Sequence, residues 1–493
     1  MIFGENGIRF GDLIAWIWRS AAYWNILVAM LIGIVIYLLW LASRQEYWRN
    51  AARQVRLNRI AMISLFILLI YIAIGLLDSI RWRDASVRPE RKLMRNENGA
   101  IIYEPRALSL LDRISTLLRE HTEKTYSAPL ANRLYSKETV TLPDGRIVRD
   151  YPRLKYGGAK LKNEAGVWAD VSRRILMGLL VGLVAGLAVG VAVYMIGNRL
   201  ARSGNPTNHK MKASVPAPPS SPPSTGGKER GKAPFAFSSL KRSFIWGGIT
   251  LAFVSGVAIV AWLTSEYHLI GTDKVGDDVF YRALKGVRTG LIIGGFTTLI
   301  AIPFAIFFGV IAGYFGGRVD DVVQYLYSTL ASIPDILLIA AFMLLFGRGL
   351  FNLCLIMGIT SWTGLCRLLR GETLKLRELE YVQAAEAFGV SRAKIILRHI
   401  VPNVMHIVLI SFILRFSGLV LAEALLSYLQ IGVDPTTGSW GNMINTARLE
   451  LAREPVVWWN LAAAFVFMFG LVLPANLFGD AVRDALDPRL RTE

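Results

Sequence analysis

The sequence predicts an all-α integral membrane protein with about nine transmembrane helices. Of its 493 residues, 53% are hydrophobic, and its mean hydropathy is +0.42, whereas soluble globular domains are about 45–50% apolar. The apolar residues cluster in runs of about 20 residues, the length that a helix needs to cross roughly 30 Å of hydrocarbon. Because lipid offers the backbone no hydrogen-bond partners, each run must be helical.

The candidate spans are separated by charged or turn-forming segments. They comprise residues 24–42, 60–77, 175–197, 244–263, 286–312, 332–347, 352–368, 404–430 and 456–478. The run 404–430 contains Arg415 and Glu423, so part of it is expected to face protein or a cavity. The first run begins near Trp24, which is too far into the chain, and the run is too long, for a cleavable signal peptide.

Composition also argues against several other classes of protein. The net charge of +19 would suggest nucleic acid for a soluble protein, but the basic residues lie mainly between apolar runs, so we expect no nucleic-acid partner. The two cysteines, Cys354 and Cys366, give no disulfide framework or metal site. Residues 226–233 nearly match a phosphate-binding loop, but Ala233 stands where a hydroxyl is needed, and no strand precedes it. We therefore expect no catalytic residues, no cofactor and no nucleotide site in this chain.

The distribution of lysine and arginine predicts the orientation in the membrane. The segments 43–59 and 198–243 are strongly basic, which is typical of cytoplasmic segments. Alternation of the spans then places the amino terminus outside and the carboxyl terminus inside.

The same pattern divides the chain into five regions. Two amino-terminal helices (1–77) precede a small external domain (78–173), in which residues 139–148 have the pattern of a β-hairpin. A third helix (174–198) leads into a basic linker (199–243) whose Pro/Ser-rich run cannot build a core. Residues 244–493 form a regular carboxyl-terminal half.

The third span has a regular glycine repeat. Gly178, Gly182, Gly186 and Gly190 recur every four residues, which places them on one helix face and predicts close contact with a neighbouring helix.

The most informative polar segment is Glu378–Asn403, on the predicted cytoplasmic side. Its first part favours a helix that stops at Gly389, after which Ser391 can cap a second short helix that ends before Pro402. Tyr381, Ala384, Ala385 and Phe388 recur at three- and four-residue steps and predict one apolar face. This face either packs on the chain's own spans or contacts a partner.

This segment resembles the EAA loop of bacterial ABC importer permeases. The loop's pattern is E-A-A, three residues, G, nine residues, then I-x-L-P, and the chain has Gln383-Ala384-Ala385, Gly389 and His399-Ile400-Val401-Pro402 at these offsets. Gln383, His399 and Val401 depart from the pattern, and His399 resembles the peptide-importing branch. Gln383 lacks the charge of the usual glutamate, so an ion pair made there by other members is not expected here.

Other stretches resemble the dipeptide/oligopeptide (C-type) permease branch. They comprise residues 268–279, in which Asp277 replaces the usual arginine, together with 312–321, 439–443 and 479–490. The likeness covers 244–493 well, and 56–77 more loosely.

The resemblance implies an ABC-importer permease core that is not itself an enzyme, in a multi-pass protein of the bacterial inner membrane. It implies translocation of peptides or similar small solutes, driven by ATP hydrolysis on separate subunits. The implied partners are two ABC ATPase subunits, a second homologous permease (another chain or a copy of this one), a periplasmic substrate-binding protein and membrane lipid. The implied ATPase-coupling residues are Glu380, Tyr381, Gln383, Ala384, Ala385, Phe388, Gly389, Arg398, His399 and Pro402.

The alternative is an ion-coupled secondary transporter. Such a protein needs ionisable residues within its spans, and Arg415 and Glu423 are the main candidates. Retention of ATPase subunits by the chain in mild detergent would distinguish the two classes.

The predicted topology can be tested by labelling. Single cysteines placed at Ser220 and Asp144 should react with a membrane-impermeant reagent from opposite sides of the membrane, because the basic linker is predicted inside and segment 78–173 outside. Labelling of both positions from the same side would contradict the nine-span topology.

Overall fold

The computed structural model describes residues 46–82, 107–141, 147–161, 166–203 and 235–486, together with Gly33 and Tyr37. In this part of the chain it shows fifteen α-helices and four short strands, which confirms the all-α class. The helices are α1 (Glu46–Leu57), α2 (Arg59–Ser79), α3 (Leu110–Ile114), α4 (Thr116–Glu120), α5 (Val167–Ser203), α6 (Phe235–Thr264), α7 (Val279–Phe315), α8 (Gly317–Ser332), α9 (Asp335–Phe346), α10 (Leu350–Arg377), α11 (Glu380–Ala387), α12 (Arg392–Ile395), α13 (Val401–Tyr428), α14 (Trp440–Glu450) and α15 (Trp459–Leu486). The strands are β1 (Arg81–Trp82), β2 (Leu108–Ser109), β3 (Glu138–Thr141) and β4 (Ile147–Asp150).

The membrane spans agree with the sequence prediction in most places. Among the described residues, 7 helical segments are long and apolar enough to cross a membrane, or 8 if the bent pair α8–α9 counts as one span. The predicted span 24–42 lies outside the described residues, except for Gly33 and Tyr37, and so do linker residues 204–234 with their near match to a phosphate-binding loop.

The predicted span 332–347 is wrong as a single straight helix. Helix α9 has only 12 residues, about 18 Å of helix, which is too short to cross the hydrocarbon alone. It follows α8 across an 82° bend. The bend falls at Ile333 and Pro334, where the proline holds the preceding residue in an extended conformation and so ends α8.

The chain forms two compact units. Unit 1 comprises Met1–Thr125 and Thr272–Glu493, and unit 2 is the continuous segment Tyr126–Gly271. The described residues of segment 78–173 before Tyr126 belong to unit 1, and those from Tyr126 onward belong to unit 2. The external location of this segment stays a prediction.

In unit 1, helices α7 and α10 pack with their backbones in close contact. A β-carbon on Gly309 would lie 2.8 Å from the carbonyl oxygen of Cys366, and one on Gly313 would lie 2.7 Å from that of Arg370. From the other helix, a β-carbon on Gly358 would lie 2.7 Å from the Ile300 side chain. These glycines let the two helices approach as small residues do at membrane helix interfaces. Both free cysteines are buried along α10, as packing residues.

A buried polar cluster joins α2, α3 and α7 of unit 1. The Lys285 ammonium contacts the carboxylates of Asp78 and Asp112, which are 1% and 3% exposed. The Ser109 hydroxyl donates to Asp78 at 2.7 Å, and the Tyr281 hydroxyl donates to Asp112 at 2.6 Å. Burial alone would raise the pKa of Asp112, but hydrogen bonds, led by that of Lys285, lower it to about 2. This cluster fixes residues 108–114 on helices α2 and α7 of unit 1.

Helix α14 packs on the first turns of α7 through one tryptophan. The Trp440 indole N–H donates to the Ala283 carbonyl at 2.9 Å, and its ring lies where β-carbons on Gly286 and Gly290 would clash. The Ser439 hydroxyl caps α14 by accepting the Gly441 N–H at 3.0 Å. The Ser-Trp-Gly sequence is therefore explained by packing.

Unit 2 contains an antiparallel hairpin of α5 and α6. β-Carbons on Gly178, Gly182 and Gly186 would lie 2.7, 2.4 and 3.3 Å from the α-carbons of Ile259, Ser255 and Leu251. The predicted glycine contact face is confirmed for these three positions, whereas a β-carbon on Gly190 would meet no atom of another helix within 4 Å among the described residues. The predicted β-hairpin is also confirmed, since β3 and β4 pair antiparallel.

The chain leaves and re-enters unit 1 at one place. The Thr272 hydroxyl donates to the Thr125 carbonyl at 2.9 Å, and the Glu123 N–H donates to the Gly276 carbonyl at 3.0 Å. Gly276 has φ +83°, and a β-carbon there would lie 1.8 Å from the Glu123 carbonyl oxygen, so only glycine fits. Unit 2 is thus a single insertion between two adjacent points of unit 1.

We predict that unit 1 folds without this insertion. Deletion of residues 126–271, with Thr125 joined to Thr272 by two glycines, should leave a protein that inserts and accumulates in the membrane, because the two ends already contact each other in unit 1. Membrane abundance and the thermal unfolding of the detergent-purified protein are the measurements. As a control, two glycines are inserted after Thr125 in the full-length protein. If this control accumulates in the membrane but the deletion variant does not, the prediction is wrong.

Candidate functional site

The polar segment Glu378–Asn403, predicted between the seventh and eighth spans, forms a loop between α10 and α13. Helix α10 ends at Arg377, and α11 follows after two residues. Helix α12 and a π-helical turn, Ile396–Ile400, then lead directly into α13. The loop is therefore joined to one span through two residues of chain and to the next span through a continuous helix.

Helix α11 ends as the sequence predicts. Gly389 has φ +74°, its N–H donates to the Glu386 carbonyl at 2.9 Å, and the Val390 N–H donates to the Ala385 carbonyl at 3.1 Å. This pair of hydrogen bonds is the Schellman motif, which favours glycine because the residue after the helix cap, here Gly389, adopts the left-handed conformation. A β-carbon on Gly389 would meet nothing within 4 Å, so the requirement for glycine comes from the backbone alone.

The second short helix does not end before Pro402, and this prediction is wrong. Helix α12 continues through the π-helical turn into α13, and Arg392–Tyr428 forms one span. Pro402 has no N–H to donate and lies in the first turn of α13. The wider π-helical turn Ile396–Ile400, which directly precedes α13, accommodates the proline. Ser391 precedes α12 but makes no capping hydrogen bond through its side chain.

The inner face of the loop is buried in unit 1. Val382 is 1% exposed, and Ala385 and Val390 are partly buried against the same core. The core residues around them come from α7, α8, α10, α12, the π-helical turn and α13, and they include Tyr314, Val323, Leu369, Ile395, Ile400 and Val404. The loop is therefore held rigidly on the ends of four helices.

The outer face of α11 is apolar and uncovered. Tyr381 is 44% exposed and Phe388 is 88% exposed, and Ala384 lies exposed between them. These residues are three and four positions apart and share one side of the helix. Ala385 was predicted to belong to this face, but it packs inward, because it stands one position further round the helix.

Polar contacts fix Tyr381 and His399 next to each other. The Asn403 side-chain amide donates to the Tyr381 hydroxyl at 2.9 Å and to the His399 carbonyl at 2.7 Å. The centres of the tyrosine and imidazole rings lie 6.1 Å apart. The sequence analysis did not identify Asn403 as a site residue. Its place directly after Pro402 in the resembling motif is the sequence feature that could have indicated it.

The charged and amide residues of the predicted site face outward. Glu380, Gln383, Arg398 and Pro402 are exposed. The Gln383 amide donates to the Glu378 carbonyl at 3.3 Å, so it stabilises the start of α11. Glu380 and Arg398 form no ion pair within the described part of the chain.

Two arginines near the carboxyl end of α10 bind the neighbouring helices α8 and α7. The Arg370 guanidinium binds both carboxylate oxygens of Asp320 in α8, one of them at 2.5 Å. The Arg377 guanidinium donates to the Tyr314 carbonyl at 3.2 Å, at the end of α7. The sequence indicated residues 312–321 only by resemblance, so this arrangement was missed.

The two charges inside the span 404–430 do not pair with each other. Glu423 is 1% exposed and accepts from the Ser427 and Ser439 hydroxyls at 2.8 and 2.6 Å. Arg415 donates to the Ser361 carbonyl. Both contact protein groups, as the sequence predicts.

The long apolar helices of the described residues define a multi-pass α-helical membrane protein. Residues 305–492 match the family described as binding-protein-dependent transport system inner membrane component. The chain is 34% identical over 227 residues to the oligopeptide transport system permease protein OppC of Bacillus subtilis (strain 168), which covers 46% of this chain and 73% of that protein. It is 35% identical over 230 residues to the glutathione transport system permease protein GsiD of Pectobacterium atrosepticum, covering 46% and 75%.

The chain belongs to the family of binding-protein-dependent transport system inner membrane components. It is the permease subunit of an ABC importer, a class in which ATP hydrolysis takes place on other subunits. This finding favours the permease over the ion-coupled alternative.

The two faces of α11 can be distinguished by mutation. Ala385→Asp should overpack the inner face and bury a charge, which destabilises the loop by about 1–3 kcal/mol, whereas Ala384→Asp adds a charge on the exposed side. Limited proteolysis of the purified protein should show faster cleavage within residues 378–403 for Ala385→Asp only. Equal cleavage rates for the two variants would contradict the assignment of faces.

Proposed function

We propose that this chain translocates peptides or similar small solutes across the bacterial inner membrane. It works with a second homologous permease, two ABC ATPase subunits and a periplasmic substrate-binding protein. The exposed face of Tyr381, Ala384 and Phe388 on an anchored loop carries this proposal. In our proposal an ATPase subunit docks on this face, because an exposed apolar face is suited to a protein partner. The names of the similar permeases, which specify oligopeptide, dipeptide and glutathione transport, support a peptide substrate.

The shape of the loop supports a docking role. Phe388 exposes 88% of its surface on a chain segment that is otherwise anchored, and large apolar residues exposed in this way generally mark contact sites. Ala384 is small at the centre of the face, which leaves room for the wall of a groove. A docked α11 would bury Tyr381 and Phe388, the residue types that contribute most to interfaces through their area.

The connections of the loop support transmission of force. A displacement of α11 reaches α10 through two residues of chain and reaches α13 through the continuous helix from Arg392. Arg370 and Arg377 of α10 also hold α8 and the end of α7. The loop residues Glu380, Gln383, Arg398, His399 and Pro402 surround this contact as its polar rim in our proposal.

Substitutions in the docking face should separate coupling from folding. Gly389→Val should cost about 1–2 kcal/mol in the left-handed conformation and misdirect the segment after α11, while Phe388→Asp removes an apolar contact without touching the core. We expect both variants to accumulate normally in the membrane, to lose most ATPase activity from the copurified complex, and to abolish uptake of a radiolabelled tripeptide.

Matched substitutions provide the controls. Gly389→Asn should keep activity within a few fold, because asparagine enters the left-handed region readily. Phe388→Leu keeps an apolar side chain and should retain the ATPase subunits. If Gly389→Val and Phe388→Asp copurify with ATPase subunits and import the tripeptide at the wild-type rate, the loop is not the coupling element. If ATPase coupling is intact but no peptide is transported by the wild type, the peptide assignment alone is wrong.

A further inference from the structure

Helix α1 has three arginines on one face. Arg49, Arg53 and Arg56 are four and three residues apart, so at 3.6 residues per turn they lie within an arc of about 60°. All three are exposed. Their positions were used above only as a signal of orientation in the membrane, and total charge suffices for that signal without any particular helix face.

The opposite face of α1 is fixed to the protein. Ala51 is 5% exposed and packs, with Val55, in a separate apolar cluster. The other members of this cluster come from α13 and α15: Leu409, Ile410, Val482, Ala485 and Leu486. The arginine face therefore points away from the protein in a defined orientation.

Contacts between α2 and α15 place α1 at the membrane boundary. The Tyr71 hydroxyl donates to the Phe467 carbonyl at 2.9 Å, and a β-carbon on Gly470 would clash with the same tyrosine. Arg59, the first residue of the span α2, lies about 18 Å from Tyr71 along its helix. The same rise along α15 separates Gly470 from Val482, which contacts α1. Helix α1 is thus level with the polar end of α2, where lipid headgroups lie.

The arginine face has no anionic partner among the side chains that the structure describes. Among the residues that the structure describes, Arg49, Arg53 and Arg56 form no ion pair and no side-chain hydrogen bond. Three guanidinium groups at headgroup level match phosphate oxygens, which arginine binds through two parallel hydrogen bonds. The one acidic residue of α1 is Glu46, its first residue, so the three arginines still leave this helix with a net positive charge. The acids Asp480 and Asp484 at this end of the molecule are on α15.

We propose that Arg49, Arg53 and Arg56 form a binding site for anionic phospholipid headgroups on the cytoplasmic leaflet. Clustered basic residues next to a span are attracted to such lipids, and the fixed orientation of α1 means that no ordering of the helix is required on binding. The site is independent of the proposed coupling loop, which lies between α10 and α13.

The test compares lipid affinities of the full-length protein by native mass spectrometry in detergent, with phosphatidylglycerol and phosphatidylcholine as probes. In Arg49→Gln/Arg53→Gln/Arg56→Gln the preference for phosphatidylglycerol should fall on the order of 100-fold, at roughly fivefold per arginine. The wild-type preference should weaken as salt rises. The triple Arg→Lys variant should keep most of the preference, because it keeps the charge.

A rearranged variant separates the site from net charge. Arg49→Asn/Asn50→Arg/Arg53→Gln/Gln54→Arg has the wild-type composition but turns two arginines about 100° around α1, and it should lose roughly 25-fold. As a second control, Arg149→Gln/Lys274→Gln/Arg348→Gln removes three exposed charges elsewhere and should bind as the wild type does. Wild-type preference in the triple or rearranged variant would overturn the proposal, and so would displacement of the lipid by an equal concentration of inorganic phosphate. Val55 and Ala51 are unchanged in every variant, so thermal unfolding should match the wild type.

Discussion

The close contact of α7 with α10 is the constraint on which the rest of unit 1 depends. Gly309 and Gly313 allow carbonyl oxygens of α10 to approach to distances that any side chain would prevent. Because helix association in lipid gains little from the hydrophobic effect, such contacts and hydrogen bonds must supply the stability. The same register brings Arg377 to the end of α7, and Arg370 to α8. A larger residue at Gly313 would therefore displace the base of the loop as well as the helix pair.

The sequence predicted the parts of the fold that follow from local patterns. The long spans, the stop at Gly389 and the glycine contacts of α5 each rest on a periodic or backbone requirement, and the structure confirms them. The bend at Pro334 was missed because hydropathy alone cannot distinguish a short helix from a complete span. The continuous helix through Pro402 was missed because a proline at the start of a helix and one after its end give the same sequence signal.

The candidate site shows a similar limit. Periodicity identified an apolar stripe on α11, but three- and four-residue steps cannot determine which of two adjacent alanines faces the core. Burial of Val382 decides this, because it turns Ala385 inward and Ala384 outward. The hydrogen bond from Asn403 to Tyr381 joins residues that are 22 positions apart in the sequence, so no local sequence pattern could predict it.

The hairpin of α5 and α6 has a consequence for how such a chain can vary. Its helices run antiparallel, so the backbone that departs after Thr125 returns to the same side of the bilayer before Thr272. An inserted unit with an even number of spans preserves the sidedness of everything downstream, whereas a single added span would invert the permease core. Pairs of transmembrane helices can therefore be inserted at this point of the chain. Such an insertion requires no compensating change in the charged residues that orient the rest of the protein in the membrane.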